Sequence, residues 1–212
     1  MRDDLTQIVC ILDRSGSMGG LETDTLGGFN GFIAEQKKVA GEGKVTVVLF
    51  DDKYDLLWEG KALKDLPVMT AEHYHVRGST ALLDAIGKSI VTVGADLDKM
   101  TDSEKPGRVI FMIITDGQEN CSKEYRQEKV KEMIEHQQNK YSWQFIFLSA
   151  DLSSADLARS VGIGHTFMYA NTSKGLHDSY GAINCAVASY RSSASKTLDT
   201  SALKINETEA TK

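Results

Sequence analysis

Six short apolar runs punctuate the chain, and the gaps between them restrict its topology. The runs are QIVCILD (7–13), KVTVVLF (44–50), YDLLWEG (54–60), RVIFMIIT (108–115), WQFIFLSA (143–150) and HTFMYA (165–170). Several are apolar throughout rather than alternating. A strand needs that pattern when both of its faces are covered, as in a parallel sheet with helices on each side. Most gaps are long enough for a helix. The exception is the three-residue DDK (51–53), too short for the crossover that a parallel pair requires. Runs 44–50 and 54–60 are therefore expected to form an antiparallel hairpin, with 54–60 at the sheet edge.

The intervening segments carry helical spacing. Leu26, Phe29, Ile33 and Val39 share a stripe in 26–39, although Gly27, Gly28 and Gly31 each cost roughly 1 kcal/mol relative to alanine. That cost points to close packing or an irregular start. Leu82, Ile86, Ile90 and Val93 mark a helix near 81–99. A polar helix over 122–138 is expected to turn Tyr125, Met133 and Ile134 inward. A short helix over 154–161 stops at Gly162, and 176–191 places Leu176, Tyr180, Ile183 and Val187 on one face. This alternation predicts an α/β domain over residues 1–191. It would be a doubly wound, mostly parallel six-stranded sheet with one antiparallel edge strand and helices on both faces. The length of 212 residues suits one such domain. Residues 192–212, SSASKTLDTSALKINETEATK, are expected to form a flexible or partly helical tail.

A net charge of −6 argues against nucleic-acid binding, which needs a basic face. No apolar run approaches the ~18 residues of a membrane span, and the acidic MRDDLTQ start reads against a secretory leader. The cysteines, Cys10, Cys121 and Cys185, are odd in number and lack metal-type spacing. They are expected to be buried, reduced thiols of a cytoplasmic protein.

In open α/β sheets, ligands bind beyond the carboxyl ends of the strands. Three stretches placed there are rich in oxygen ligands. DRSGS (13–17) alternates Asp13, Ser15 and Ser17, so an extended loop can aim all three one way. RGST (77–80) brings Thr80 to a helix start, and TDG (115–117) brings Asp116 to a strand end. Singly, each is an ordinary turn or cap. Together, three hydroxyls and two carboxylates suit a hard divalent cation, Mg²⁺ foremost, with Mn²⁺ or Ca²⁺ as alternatives. So little negative charge leaves the ion electrophilic and open to an outside anion.

At ILDRSGSM, RGSTALLDAI and IITDGQEN the chain resembles the von Willebrand factor A family, over roughly residues 5–190. The resemblance implies a metal-ion-dependent adhesion site. Ser15, Ser17 and Thr80 would contact the metal, and Asp13 and Asp116 would act directly or through water. It further implies a stand-alone intracellular adaptor that binds another protein through an Asp or Glu completing the coordination, without catalysis. Bacterial and phage members of this kind often serve larger assemblies, including ATPase-linked and stress-resistance systems. Asp151 stands where many members have a glycine-rich turn.

The remaining features have plainer readings. His73 and His75 lack the further ligands a soft-metal site needs and are expected to be exposed loop residues. Asp51-Asp52-Lys53 reads as the hairpin turn. Trp58 and Trp143 fit edge and buried strand positions. Arg14 is expected to point away from the ion, either solvated or facing an acidic partner. A metal-dependent phosphoester hydrolase is the rival function. Ser15 stands where a D-x-D phosphatase needs a second aspartate, and neither a P-loop nor a paired acid and base is present. A structural subunit with a vestigial site is the third reading.

Overall fold

In the computed structural model, which describes residues 1–200, the six runs become strands of one sheet. They are β1 (Arg2–Asp13), β2 (Glu42–Phe50), β3 (Tyr54–Ala62), β4 (Pro106–Thr115), β5 (Gln144–Ser149) and β6 (His165–Met168). Their order is β3-β2-β1-β4-β5-β6. All neighbours are parallel except the β2–β3 hairpin at one edge, as the short DDK link requires. Among the described residues five α-helices complete the domain: α1 (Glu22–Gln36), α2 (Leu82–Asp98), α3 (Gln127–Tyr141), α4 (Leu152–Ser160) and α5 (Ser173–Ser192).

The uninterrupted apolar runs have the expected cause. Ile8, Cys10 and Leu12 of β1 face a core built with Phe29, Phe32 and Ile33 of α1 and Tyr180, Ile183 and Val187 of α5. Val9 and Ile11 face the opposite core, formed with Ile86 and Ile90 of α2, Val130 and Ile134 of α3 and Ala158 of α4. Each central strand thus has two buried faces and no room for polar alternation.

The helix boundaries differ from the sequence expectation in instructive places. The first helix ends at Gln36, so Val39 lies beyond it. Gly28 is explained by close packing, because a Cβ there would run into the Tyr180 ring of α5. Nothing in the structure explains Gly27 or Gly31, where a Cβ would meet open space. The polar helix begins at Gln127 rather than 122. Its expected first turn is a loop because side chains take the loop's amides. The Asp84 carboxylate accepts from Lys123, Glu124 and Tyr125 at 2.8–2.9 Å. Tyr125 still turns inward, from the loop, and its ring occupies the space above Gly87. Met133 is only half-buried.

Residues 193–200 run across the amino ends of the strands. Arg108 donates to the Ser193 carbonyl (2.5 Å), Lys196 pairs with Asp3 (3.0 Å), and Leu198 is buried with its amide on Gln144 Oε1 (3.3 Å). This part of the expected tail therefore packs; the rest, 201–212, lies outside the described residues. Cys10 is buried, but Cys121 is half-buried and Cys185 is exposed, so the expectation of three buried thiols fails for two of them. Among the described residues no helix is long and apolar enough to cross a membrane.

Candidate functional site

The strand order reverses between β1 and β4, which opens a crevice at their carboxyl ends. Register sets Leu12 beside Ile114, so Asp13 and Thr115 end their strands side by side. The Thr115 hydroxyl donates to Asp13 Oδ2, and the Ser15 amide donates to Asp13 Oδ1 (2.6 Å). Beyond Asp13 the chain makes a single 3₁₀ turn (Gly16–Met18), anchored by the fully buried Met18. That turn presents Ser15 Oγ and Ser17 Oγ 3.1 Å apart, and Ser17 Oγ donates to Asp116 Oδ1 (2.6 Å).

Gly117 marks where the hydroxyls converge. A Cβ on it would lie 2.7 Å from Thr80 Oγ1, 2.8 Å from Ser17 Oγ and 3.2 Å from Ser15 Oγ. Any larger residue would fill the space they share. The structure thus brings together all five residues singled out from the sequence: Asp13, Ser15, Ser17, Thr80 and Asp116.

Thr80 comes from the long β3–α2 connection and is held from both sides. Its amide donates to Asn120 Oδ1 (2.9 Å) and its carbonyl accepts from the Asn120 amide (3.0 Å). Glu119 fastens the same β4 loop to the start of α2 by accepting the Leu83 amide (2.9 Å). On the other flank, the Gly16 amide donates to the Gly78 carbonyl (3.1 Å) and the Arg77 amide to the Arg14 carbonyl (2.8 Å). Gly78 takes a positive φ of 69° there, a conformation that favours glycine. Asp84, Glu119 and Asn120 escaped the sequence reading as positioning residues. The only trace of the last two was the polar QEN following the aspartate–glycine pair.

Arg14 is neither solvated nor turned to a partner. It is buried, donates from Nε to Asp51 Oδ2 (2.8 Å), and forms a second ion pair with Asp55. Arg77 Nε joins it on Asp51 Oδ2 (2.7 Å). Burial alone would raise the Asp51 carboxyl, but the hydrogen bonds from Arg77 and Arg14 outweigh it and hold the group below the usual carboxylate range. Asp151, the departure from the glycine-rich turn, caps α4 by accepting the Ser154 amide (2.9 Å). Ser154 Oγ in turn donates to the Gly117 carbonyl (2.5 Å). His73 packs half-buried against Trp58, with ring centroids 5.6 Å apart, while His75 is exposed.

The two site carboxylates have no ion-pair partner among the described residues, unlike Asp51. Burial pushes Asp13 up to about 6, against the hydrogen bonds from Thr115 and Ser15. Burial likewise raises Asp116, against its bond from Ser17. Asp116 Oδ2 is buried and makes no hydrogen bond of good geometry, a costly arrangement for an ionised oxygen, although the Asn171 side chain lies close enough to favour the ionised form. The described residues include no group of three or more His, Cys, Asp or Glu side chains able to hold a metal. The cluster here is of another composition, two carboxylates with three hydroxyls. An unpartnered carboxylate oxygen beside converging neutral oxygens fits a hard cation.

No family model matches the chain, and no curated protein sequence matches it. Solved structures do. A von Willebrand factor type A protein from Catenulispora acidiphila superposes with a TM-score of 0.59 at 12% identity, covering 86% of this chain and 42% of that one. The ArnB paralog VWA2 from Sulfolobus acidocaldarius gives 0.52 at 18% identity, with 83% and 44% covered. BatB from Bacteroides thetaiotaomicron gives 0.55 at 14% identity, with 89% of this chain and 100% of that one covered. The chain thus spans less than half the length of the first two. Its fold is that of a von Willebrand factor A domain.

Proposed function

We propose that this domain is a divalent-cation-dependent protein-binding module, with Mg²⁺ at the crevice and an Asp or Glu of the partner protein completing the coordination. The observation that carries the reading is Asp116 Oδ2, buried and unpartnered, beside three hydroxyls that converge over Gly117. Ser15, Ser17 and Thr80 would hold the ion together with Asp116. Asp13, with both oxygens already accepting hydrogen bonds, would orient the serine loop and contribute charge. When bound, the cation supplies a Lewis-acidic position at which a carboxylate can coordinate. The residues limit the site's negative charge to two carboxylates, which favours recruitment of a third from outside.

Binding, rather than catalysis, is the inferred role. Among the described residues, Ser15 and Ser17 direct their hydroxyls to each other and to the site carboxylates. No histidine or lysine among the described residues hydrogen-bonds to either hydroxyl to draw a proton from it. Calorimetric titration with Mg²⁺ tests the reading. The parent chain should bind one ion, and Asp116→Ala should not. Protein capture from a lysate should be abolished both by EDTA and by Asp116→Ala. Absence of Mg²⁺ binding by the parent would leave the vestigial-site alternative, and Mg²⁺-dependent turnover of a generic phosphoester would favour the hydrolase.

A further inference from the structure

The hairpin residue Asp51 looks in sequence like an ordinary turn aspartate, which would sit in solvent. In the structure it has no exposed surface at all, and every acceptor it carries is engaged. Oδ2 takes Arg14 Nε and Arg77 Nε, Oδ1 takes the Lys53 amide (2.7 Å), and its carbonyl takes the Ala81 amide (2.8 Å).

These contacts have a common geometry. Arg77 and Ala81 bracket the loop that carries Thr80, and both are tied to Asp51, one through its carboxylate and the other through its carbonyl. Arg14 immediately precedes Ser15 and shares the same carboxylate oxygen. The Arg77 amide is also bonded to the Arg14 carbonyl (2.8 Å). One residue therefore ties the flank of the Ser15 loop and both flanks of the Thr80 loop to a single point. Those loops lie far apart in sequence, and besides Asp51 they are joined directly only by the Gly16–Gly78 and Arg77–Arg14 backbone bonds among the described hydrogen bonds. Asp55, half-exposed, supplies a second carboxylate to both arginines, so two cations are matched by two anions. The pairing keeps positive charge next to the hydroxyl cluster from opposing a bound cation.

We propose that Asp51 is the positioning residue of the cation site, acting through Arg14 and Arg77 to hold Ser15 and Thr80 in register. The inference rests on the metal-binding reading above. Groups that orient metal ligands typically cost about 10–100-fold in metal affinity when altered.

The test is a Mg²⁺ titration by calorimetry of the full chain as parent, Asp51→Asn and Arg77→Gln, well below each protein's melting temperature. Asp51→Asn keeps the size and the carbonyl contact but loses the charge. It is expected to weaken Mg²⁺ binding about tenfold or more, and Arg77→Gln to weaken it several-fold. Arg77 is half-exposed, so its variant carries the test should Asp51→Asn fail to fold. A merely structural Asp51 would lower the melting temperature yet leave the affinity of the folded molecules unchanged. Parental affinity in folded Asp51→Asn, or in Arg77→Gln if that variant alone folds, overturns the inference while the metal site stands. A parent chain that takes up no Mg²⁺ overturns the metal reading and this inference with it.

Discussion

The two ends of the sheet both bury arginine, and they use it differently. At the carboxyl end, Arg14 meets the carboxylates of Asp51 and Asp55. At the amino end, Arg191 donates to the Gln36 carbonyl (2.6 Å), Gln36 Oε1 (3.1 Å) and the Gly41 carbonyl (3.4 Å). Arg108 there donates to the carbonyls of Asp3 and Ser193. Neither forms a contact ion pair with a carboxylate among the described residues, although Arg108 lies near enough to Asp3 to favour the ionised carboxylate, and burial lowers the Arg191 pKa. The amino-end arginines close the fold: Arg191 adds a donor at the end of α1, where the Gln36 carbonyl otherwise accepts only the longer bond from the Val39 amide (3.3 Å). At the carboxyl end the cations are cancelled nearby, which leaves Asp13 and Asp116 as buried carboxylates without one. The difference separates a stabilising end from an end that stores uncompensated negative charge.

The largest effect that can break this comparison is loss of the ion. Asp13→Ala and Asp116→Ala should each abolish Mg²⁺ binding in a calorimetric titration while keeping the far-UV circular dichroism of the parent. Their metal-free stabilities should diverge. Asp13→Ala strands the Ser15 amide, leaves the Thr115 hydroxyl only its longer bond to the Gly117 carbonyl (3.2 Å), and should cost about 1–3 kcal/mol. Asp116→Ala removes one oxygen with no partner and the acceptor of the exposed Ser17 hydroxyl, which can turn to water or to Ser15, and should cost less. A large loss of metal-free stability in Asp116→Ala would show that this carboxylate is structural.

At the other end the pattern should invert. Arg191→Met removes the donor to the Gln36 carbonyl, Gln36 Oε1 and the Gly41 carbonyl together and should lower stability by about 1–3 kcal/mol in urea unfolding, with Mg²⁺ affinity unchanged. A parallel fall in affinity would mean that the two ends are coupled. Next in size is Leu198→Ala, expected to cost about 2 kcal/mol because the side chain is buried. An unchanged unfolding midpoint would show that 193–200 contributes nothing to the fold.

The smallest effect lies in α1, which joins the ends. Gly31→Ala should stabilise by about 0.5–1 kcal/mol, since its Cβ meets open space, and Mg²⁺ affinity should not change. Gly28→Ala should destabilise, since its Cβ meets the Tyr180 ring. Equal responses at the two positions would contradict the α1–α5 packing described here.

Much of this molecule was legible without coordinates, and the reason is locality. Runs such as RVIFMIIT report burial on both faces, because a covered strand has no polar side. DDK forbids a parallel crossover by length alone. Asp13, Ser15, Ser17, Thr80 and Asp116 could be grouped because each sits at the end of a recognisable element, and sheet topology brings such ends together.

What only the tertiary structure decided is which side chain answers which distant backbone group. Asp84 takes three amides of the 123–125 loop and so delays α3. Asn120 clasps Thr80 across 40 residues, and Asp51 is drawn from a turn into the interior by two arginines. Leu198 is a single apolar residue in a polar stretch, with no period to announce its burial. Polar partnerships of this kind leave no repeating pattern, because hydrogen bonds and ion pairs depend on where two chain segments meet rather than on the spacing within either. The sequence alone determined the sheet, the hairpin and the five residues of the cluster. The tertiary fold decided how those residues are held, and which buried charges are matched.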